Sequence, residues 1–282
     1  MELIEPLIVK THKASASLRR TDDKQIIKTL EMLADAVEAN SASILEANSL
    51  DVSKQDANDS RTDRLRLNEQ RIKNIANSVR QVSKLPNPAG TILEKRTLYN
   101  GLLLEKVAVP LGVVGAIYES RPNVTFDIAT LCLRSMNGCL LKGSSEAENS
   151  NKIAVQIIKS VLKENNIDED CVTLLPSSRE TMQQLYTATK YVDVLIPRGS
   201  DSLIQSVRKN SLVPVIETGA GVCHIYIEKE AAIDEAVNIV VNAKVSRPSV
   251  CNAMDSLLVD SIAAPQFLEK LQPLFEKNGV EI

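Results

Sequence analysis

Between residues 112 and 217, five short apolar runs alternate with segments long enough to form helices. The runs are GVVGAIYE, CLLK, VTLLP, YVDVLIP and VPVIE. Strands that alternate with helices predict a parallel sheet, and runs that are apolar throughout predict strands covered by helices on both faces. We therefore expect an α/β fold with a parallel, Rossmann-type sheet. Ligands of such sheets bind beyond the carboxyl ends of the strands.

The residues before this sheet predict helices followed by a hairpin. Two apolar stripes at helical spacing indicate helices that face a core. The stripes are Ile26, Ile27, Leu30, Leu33, Ala34 and Val37, and Ile72, Ile75, Val79 and Val82. Next, Asn100-Gly101 separates two strand-like runs, which is the strongest short signal for a β-hairpin. A two-stranded arm should thus precede the sheet.

A second unit is predicted to begin at residue 223, so the expected domains are residues 1–222 and 223–282. Its pattern is a strand, a helix, the loop SRPSVCNAM, another strand and a final helix. With 282 residues, the chain exceeds the usual size of one hydrophobic core. More than one domain is therefore expected.

Composition excludes several classes of function. The 33 basic residues are interspersed with 36 acidic ones, and only 3% of residues are aromatic, which argues against nucleic acid as a partner. No signal peptide and no apolar run long enough for a membrane span is apparent, so a cytoplasmic protein is expected. Five scattered cysteines imply no disulfide framework, and with only His12 and His224 we assign no metal.

Two predicted strand ends carry polar residues that suit a ligand. ESRPN presents Arg121 and Asn123 where a helix is about to begin, although Asn123 is equally suited to cap that helix. LKGSSE offers Lys142, Ser144 and Ser145 to a ribose or phosphate, but it also fits an ordinary turn.

Two further strand ends are weaker signals on their own. In IPRGSDSLI, Gly199 and Ser200 open a helix whose N-terminal N–H groups favour an anion such as a pyrophosphate. Simple capping by Ser200 is the better-supported alternative at this point. VIETGAGVCHI contains Glu217 but lacks the third glycine of the dinucleotide fingerprint.

Cys251 differs from the other cysteines in its flanks. It lies in NAKVSRPSVCNAM, a predicted loop with Lys244 and Arg247 nearby, and such cations favour a reactive thiolate. The other four sit in apolar runs and are expected to be small buried hydrophobic residues: Cys132, Cys139, Cys171 and Cys223.

Four blocks of the sequence together resemble a known family in order and spacing. They are VPLGVVGAIYESRPNVTFDIATLCLRSMNGCLLKGSSEAENSN, LIPRGSDSLI, VIETGAGVCHIYI and NAKVSRPSVCNAMDSLLV. The resemblance is to γ-glutamyl phosphate reductases of the aldehyde dehydrogenase superfamily, and it covers essentially the whole chain. It implies an aldehyde dehydrogenase-like fold, with N-terminal helices and a cofactor domain followed by an incomplete catalytic domain that carries the cysteine loop.

The resemblance also implies a chemistry. Cys251 matches the family's nucleophile and Asn123 the asparagine that helps form the oxyanion hole. The implied reaction, a step of proline biosynthesis, is NADPH-dependent reduction of L-glutamate 5-phosphate to the 5-semialdehyde and phosphate, through a thioester.

Cofactor residues follow from the same resemblance. Lys142 matches the lysine that contacts the adenosine ribose, with Ser144 and Ser145 beside it, and Gly199-Ser200 match the pair that packs on the pyrophosphate. Ser145 stands where NAD-preferring relatives often carry an acidic residue, which favours NADP. Glu217, grouped with these residues, matches the general base of hydrolytic members.

Charge alone suggests how the substrate would be held. Three cations flank the presumed reacting centre and are candidates for binding the phosphate and the carboxylate: Arg121, Lys244 and Arg247. The resemblance adds two expected partners, further copies of the chain in a homo-oligomer and the glutamate 5-kinase that supplies the substrate.

The end of the chain departs from the family pattern, because members continue well beyond the cysteine loop. We therefore expect a C-terminally truncated catalytic domain. Two alternatives to an active reductase stay open: an aldehyde dehydrogenase with another substrate, and a non-catalytic fragment that binds nucleotide.

Overall fold

The computed structural model of the chain describes residues 3–56, 62–217, 219, 221–248 and 250–281. The chain forms two compact units, Met1–Glu217 and Thr218–Ile282. Each has a hydrophobic core formed by its own residues.

The N-terminal part of the larger unit is helical, as the sequence predicts. In the described part of this region, five helices precede the first strand: α1 (Glu5–Leu18), α2 (Asp23–Ala39), α3 (Ser41–Val52), α4 (Thr62–Leu65) and α5 (Glu69–Ser83). The stripe predicted on α2 is buried except for the half-buried Ile27, and on α5 only Val82 is half-buried. These two stripes face each other, since α2 packs against α5.

The predicted hairpin is confirmed. Strands β1 (Ile92–Thr97) and β2 (Leu103–Val107) are antiparallel, and the chain reverses through a turn in which Gly101 has a φ of 83°. That left-handed conformation favours glycine. Every residue of both strands is exposed, so the arm stands away from the core.

The central sheet has four parallel strands in the order β5-β4-β3-β6. They are β3 (Val113–Tyr118), β4 (Gly138–Lys142), β5 (Val172–Leu174) and β6 (Val194–Arg198). The connections contain α6 (Asn123–Arg134), α7 (Glu148–Glu164) and α8 (Arg179–Tyr186), and α9 (Asp201–Asn210) follows β6. Side chains of β3 enter two different core clusters in alternation, which confirms that both faces are covered.

The prediction of a fifth strand at residues 213–217 is wrong, because this segment pairs with the sheet at a single position. Val215 makes one parallel bridge with Leu195. The N–H of Leu195 donates to Pro214 at 2.8 Å, and the N–H of Ile216 donates to Leu195 at 2.9 Å. The next bond would need an N–H two residues further along β6, at Pro197, which has none. Pairing therefore ends after one bridge.

The smaller unit has the predicted element order. It consists of β7 (Cys223–Ile227), α10 (Ile233–Val245), β8 (Met254–Val259) and α11 (Ala264–Lys277). The two strands are parallel, with Cys223 opposite Met254, and both helices contribute to the core. Among the helices described, none has the length and hydrophobicity needed to cross a bilayer.

Candidate active site

The carboxyl ends of β3 and β6 lie side by side at the point where the strand order reverses. From β3 the chain proceeds through α6 to β4 on one side, whereas β6 pairs with β3 on the other. Tyr118 and Arg198 are register partners, and the N–H of Glu119 donates to the carbonyl of Arg198. Such a reversal is the usual ligand site of an open α/β sheet.

Ser200 begins α9 and holds a carboxylate there. Its hydroxyl accepts from the N–H of Leu203, which makes it the N-cap, as the sequence suggests. The carboxylate of Glu119 accepts from the N–H of Ser200 at 2.8 Å and from its hydroxyl at 2.7 Å. A Cβ on Gly199 would lie only 2.6 Å from Cδ of Glu119, so glycine permits this approach.

The position expected for a pyrophosphate therefore holds an anion from the protein itself. Sequence reasoning did not assign Glu119 to this place. Its location directly after β3, in the block ESRPN, was the available signal.

Asn123 is the first residue of α6, and Pro122 occupies the N-cap position. The capping alternative for Asn123 is therefore wrong. Its amide donates to Asp127 one turn later, at 2.9 Å. Burial raises the pKa of Asp127, while the bond from Asn123 and the charge of Arg198 lower it. Asp127 was not predicted from the sequence, although the spacing of four residues in a helix brings such a pair together.

Arg121 lies in the bend between β3 and α6. Its N–H donates to the carbonyl of Glu119, and the residue is exposed. It thus lies at the same edge of the sheet as Asn123 and Ser200.

Lys142 is the last residue of β4 and is only 7% exposed. Burial lowers its pKa, because desolvation disfavours the ammonium form. Gly143 follows and packs so closely on the amide of Asn151 that a side chain has no room. This loop lines a groove of about 320 Å³ at the ends of β4 and β5, to which Ser144 and Ser177 contribute.

Ser145 is exposed and begins a short 3₁₀ turn. The neighbouring Glu146 accepts a hydrogen bond from Ser120, which follows β3. Its carboxylate thereby links the ends of β3 and β4.

Glu217 is paired with a cation. One of its carboxylate oxygens lies 3.2 Å from Nε of Arg208 on α9. The other carboxylate oxygen is buried and has no hydrogen-bond partner among the described residues.

In the smaller unit, Cys251 lies in a tight turn. The N–H of Ala253 donates to the carbonyl of Val250 at 3.1 Å, so Cys251 occupies a central position of the turn, and it is exposed. The buried environment predicted for Cys223 is wrong. It is half-buried at the start of β7, where its thiol lies 3.6 Å from the carbonyl oxygen of Cys251. Cys251 is thus exposed to reagents, and Cys223 is partly exposed.

The two cations beside the cysteine turn differ. Nζ of Lys244 donates to the carbonyl of Met254 at 3.0 Å and so supports the start of β8. Arg247 is exposed, and its carbonyl accepts from the N–H of Val250. Their suggested contact with substrate stays a prediction, as it does for Arg121.

Comparisons with known proteins agree with this architecture. The fold is that of the aldehyde dehydrogenase family, whose family model matches residues 2–281. A γ-glutamyl phosphate reductase of Chlorobium phaeobacteroides is 49% identical over 279 residues, which are 99% of this chain and 67% of that protein. One from Nautilia profundicola is 47% identical over 259 residues, which are 90% of this chain and 63% of that protein.

Solved structures give the same result. The γ-glutamyl phosphate reductase of Thermotoga maritima superposes with a TM-score of 0.90 at 37% identity, covering 99% of this chain and 69% of that one. The enzyme from Saccharomyces cerevisiae superposes with a TM-score of 0.71 at 28% identity, covering 99% and 71%. The chain therefore belongs to the γ-glutamyl phosphate reductase family, a family of oxidoreductases. It spans about two thirds of the length of the curated relatives it matches.

Proposed function

We propose that this chain reduces L-glutamate 5-phosphate to L-glutamate 5-semialdehyde with NADPH, through a thioester on Cys251. The main support is the family relation, which extends over 99% of the chain and includes the cysteine turn. The exposure of Cys251 in that turn is the structural observation that suits a nucleophile best.

Cys251 performs the first step. Its thiolate attacks the acyl carbon, the bond from that carbon to the phosphate oxygen breaks, and inorganic phosphate leaves. The amide of Asn123 is the proposed side-chain donor to the oxyanion of the tetrahedral intermediate. Asp127 holds that amide by the bond at 2.9 Å.

We assign the cofactor to the sheet edge, where several residues that suit a dinucleotide come together. The carboxylate of Glu119 shows that the N-terminus of α9 accepts an anion, and Gly199 leaves room for it. Gly199 and Ser200 would hold the pyrophosphate, and Lys142, Ser144 and Ser145 the ribose and its 2′-phosphate. When bound, NADPH supplies the hydride that reduces the thioester carbonyl. Cys251 then departs as a thiolate as the semialdehyde forms.

A dehydrogenase with another substrate is the second candidate. It would oxidise its aldehyde to an acid or an acyl-CoA without needing inorganic phosphate.

The test is the reverse reaction, in which the protein oxidises glutamate semialdehyde and NADPH formation is followed with and without inorganic phosphate. We expect phosphate-dependent turnover that disappears in Cys251→Ala. Turnover independent of phosphate would favour the second candidate. Binding of NADPH without any turnover would favour the non-catalytic alternative.

The proposal extends to assembly and location. The β1–β2 arm exposes apolar side chains on strands that contact no core, which suits contact with a further copy in a homo-oligomer. Light scattering of the purified protein tests this, and a monomer at micromolar concentration would contradict it. A cytoplasmic location and supply of the substrate by a glutamate 5-kinase complete the proposal.

A further inference from the structure

The thiol of Cys223 contacts the backbone of Cys251. Its sulfur lies 3.6 Å from the carbonyl oxygen of Cys251, and a Cβ on Gly221 would lie 2.8 Å from the same oxygen. The segment leading into β7 therefore packs tightly against the cysteine turn. The other three cysteines, Cys132, Cys139 and Cys171, are buried in the larger unit.

The fold of the smaller unit fixes this proximity. Cys223 is the register partner of Met254 across a parallel pair, where strands are spaced by about 4.8 Å. The turn from Val250 to Ala253 brings Cys251 back toward the beginning of β7. Disulfides join residues whose Cα atoms are roughly 4.4–6.8 Å apart, and the 3.6 Å contact between the sulfur of Cys223 and the carbonyl oxygen of Cys251 puts these two residues in direct contact. A rotation of the two side chains could then bring the sulfurs together.

We propose that Cys223 is a resolving cysteine that forms a reversible disulfide with Cys251 when a hydroperoxide oxidises the latter. The inference rests on the proposed function, in which Cys251 is a reactive thiolate. The disulfide switches the reductase off, and reduction of the disulfide restores it.

The chemistry balances in two steps. The Cys251 thiolate attacks the hydroperoxide, the O–O bond breaks, the sulfur becomes a sulfenic acid, and the other oxygen leaves as water or an alcohol after taking a proton. The Cys223 thiolate then attacks that sulfur, the S–O bond breaks, and hydroxide leaves as water with the proton from Cys223. Two thiols lose two electrons in total, and the peroxide gains them.

A resolving cysteine protects the nucleophile. A sulfenic acid that meets no thiol can be oxidised further to a sulfinic acid, which thiol reductants do not reverse. A thiol beside the turn intercepts the sulfenic acid first. The alternative is that Cys223 only supports the turn through a hydrogen bond, which a serine hydroxyl would also provide.

Hydrogen peroxide treatment followed by tryptic mass spectrometry tests the proposal. We expect a cross-link between the peptides 210–229 and 245–270, with the loss of two hydrogens, reversed by dithiothreitol. Cys223→Ser keeps a hydroxyl donor for the turn and should retain reductase activity before oxidation. After peroxide it should carry Cys251 as sulfinic acid and recover little activity with dithiothreitol, whereas the wild type recovers most of its activity.

The mass readout separates this inference from the proposed function. A cross-link in a protein without reductase activity would support the cysteine pair and contradict the function. An active protein without the cross-link, whether Cys251 is a free thiol, a sulfinic acid or bonded to another cysteine, would overturn the inference. Equal recovery of the Cys223→Ser variant and the wild type would overturn it as well.

Discussion

The carboxylate of Glu119 accepts two hydrogen bonds from Ser200, one from the backbone N–H and one from the hydroxyl. It therefore occupies the place at the start of α9 where a phosphate would gain most from the helix dipole. A dinucleotide that uses this place has to displace the carboxylate first.

Glu119→Gln should accordingly tighten NADPH binding. An anion at a helix N-terminus is stabilised by about 0.3–1 kcal/mol, so the dissociation constant should fall by up to roughly fivefold when the competing charge is removed. Fluorescence titration with NADPH measures this, and Glu180→Gln in the first turn of α8 is the control. Weaker binding by the Glu119 variant would mean that the carboxylate shapes the cofactor site instead of competing for it.

Asn123→Ala should reduce turnover without unfolding the protein. Loss of one oxyanion donor typically costs about 10²- to 10³-fold in rate. The residue is half-buried at the beginning of α6, so circular dichroism and the melting temperature should change little. A variant with near-normal kcat would remove Asn123 from the proposed mechanism.

Ser145→Glu should shift cofactor preference from NADPH toward NADH. The new carboxylate would hold the ribose hydroxyls and repel a 2′-phosphate, and like charges in contact cost several kcal/mol, so a shift of at least about tenfold is expected. The ratio of kcat/KM for the two cofactors measures it. Ser160→Glu, on the exposed side of α7, controls for added charge. An unchanged ratio would contradict the position assigned to Ser145.

Asp51→Ala should destabilise the larger unit strongly. Asp51 is fully buried in α3 and accepts four hydrogen bonds, from the backbone N–H groups and the side chains of Asn149 and Ser150. These donors begin α7, and leaving them unpaired should cost on the order of 3 kcal/mol. Urea unfolding tests this against Glu46→Ala, an exposed change on the same helix. Equal stabilities would exclude this role for Asp51.

Asp23→Asn should remove part of the pH dependence of stability in acid. The hydrogen bond and charge of the buried Arg134 lower the pKa of Asp23. A lowered carboxyl pKa stabilises the fold above the unfolded-state value, and that contribution is lost as the pH falls below about 4. The loss at neutral pH should be only about 1 kcal/mol, because Asp23 is 42% exposed and solvent screens the pair.

Urea unfolding of the wild type and of Asp23→Asn at pH 3 and pH 7 measures this change in the pH dependence of stability. Asp22→Asn, its exposed neighbour, should keep the wild-type pH dependence. A parallel loss of stability at both pH values would show that the ion pair does not titrate as described.

Local pattern predicted most of the fold. The stripe on α2, the hairpin at Gly101 and the apolar strands of the central sheet depend on neighbours in sequence, and the structure confirms them. The bridge at Val215 was not predictable in this way. It ends because of Pro197 on the partner strand, so its length depends on a residue in another element.

In the candidate site, too, local features could be predicted from the sequence and long-range contacts could not. The sequence alone indicated that Ser200 begins a helix and that Cys251 differs from the other cysteines. Contacts between residues far apart in the chain could not be predicted from the sequence. Examples are the contact of Glu119 with Ser200, and that of the Cys223 thiol with Cys251, 28 residues later. The prediction for Cys223 used only the apolar residues next to it in sequence. The burial of Cys223 depends instead on which other parts of the structure pack against those residues.

The central position of β3 has a consequence for how the larger unit folds. At one end of β3, the N–H of Gly112 donates a hydrogen bond to the side chain of Asn137, which is 25 residues later in the chain. The N–H of Val113 donates to the side chain of Asp193, which is 80 residues later. Pairing with β4 therefore closes a much shorter loop than pairing with β6. As the chain emerges from the ribosome, one edge of an apolar strand stays open until β6 has been synthesised. During that interval the nascent chain is vulnerable to aggregation, and chaperones would act on it then.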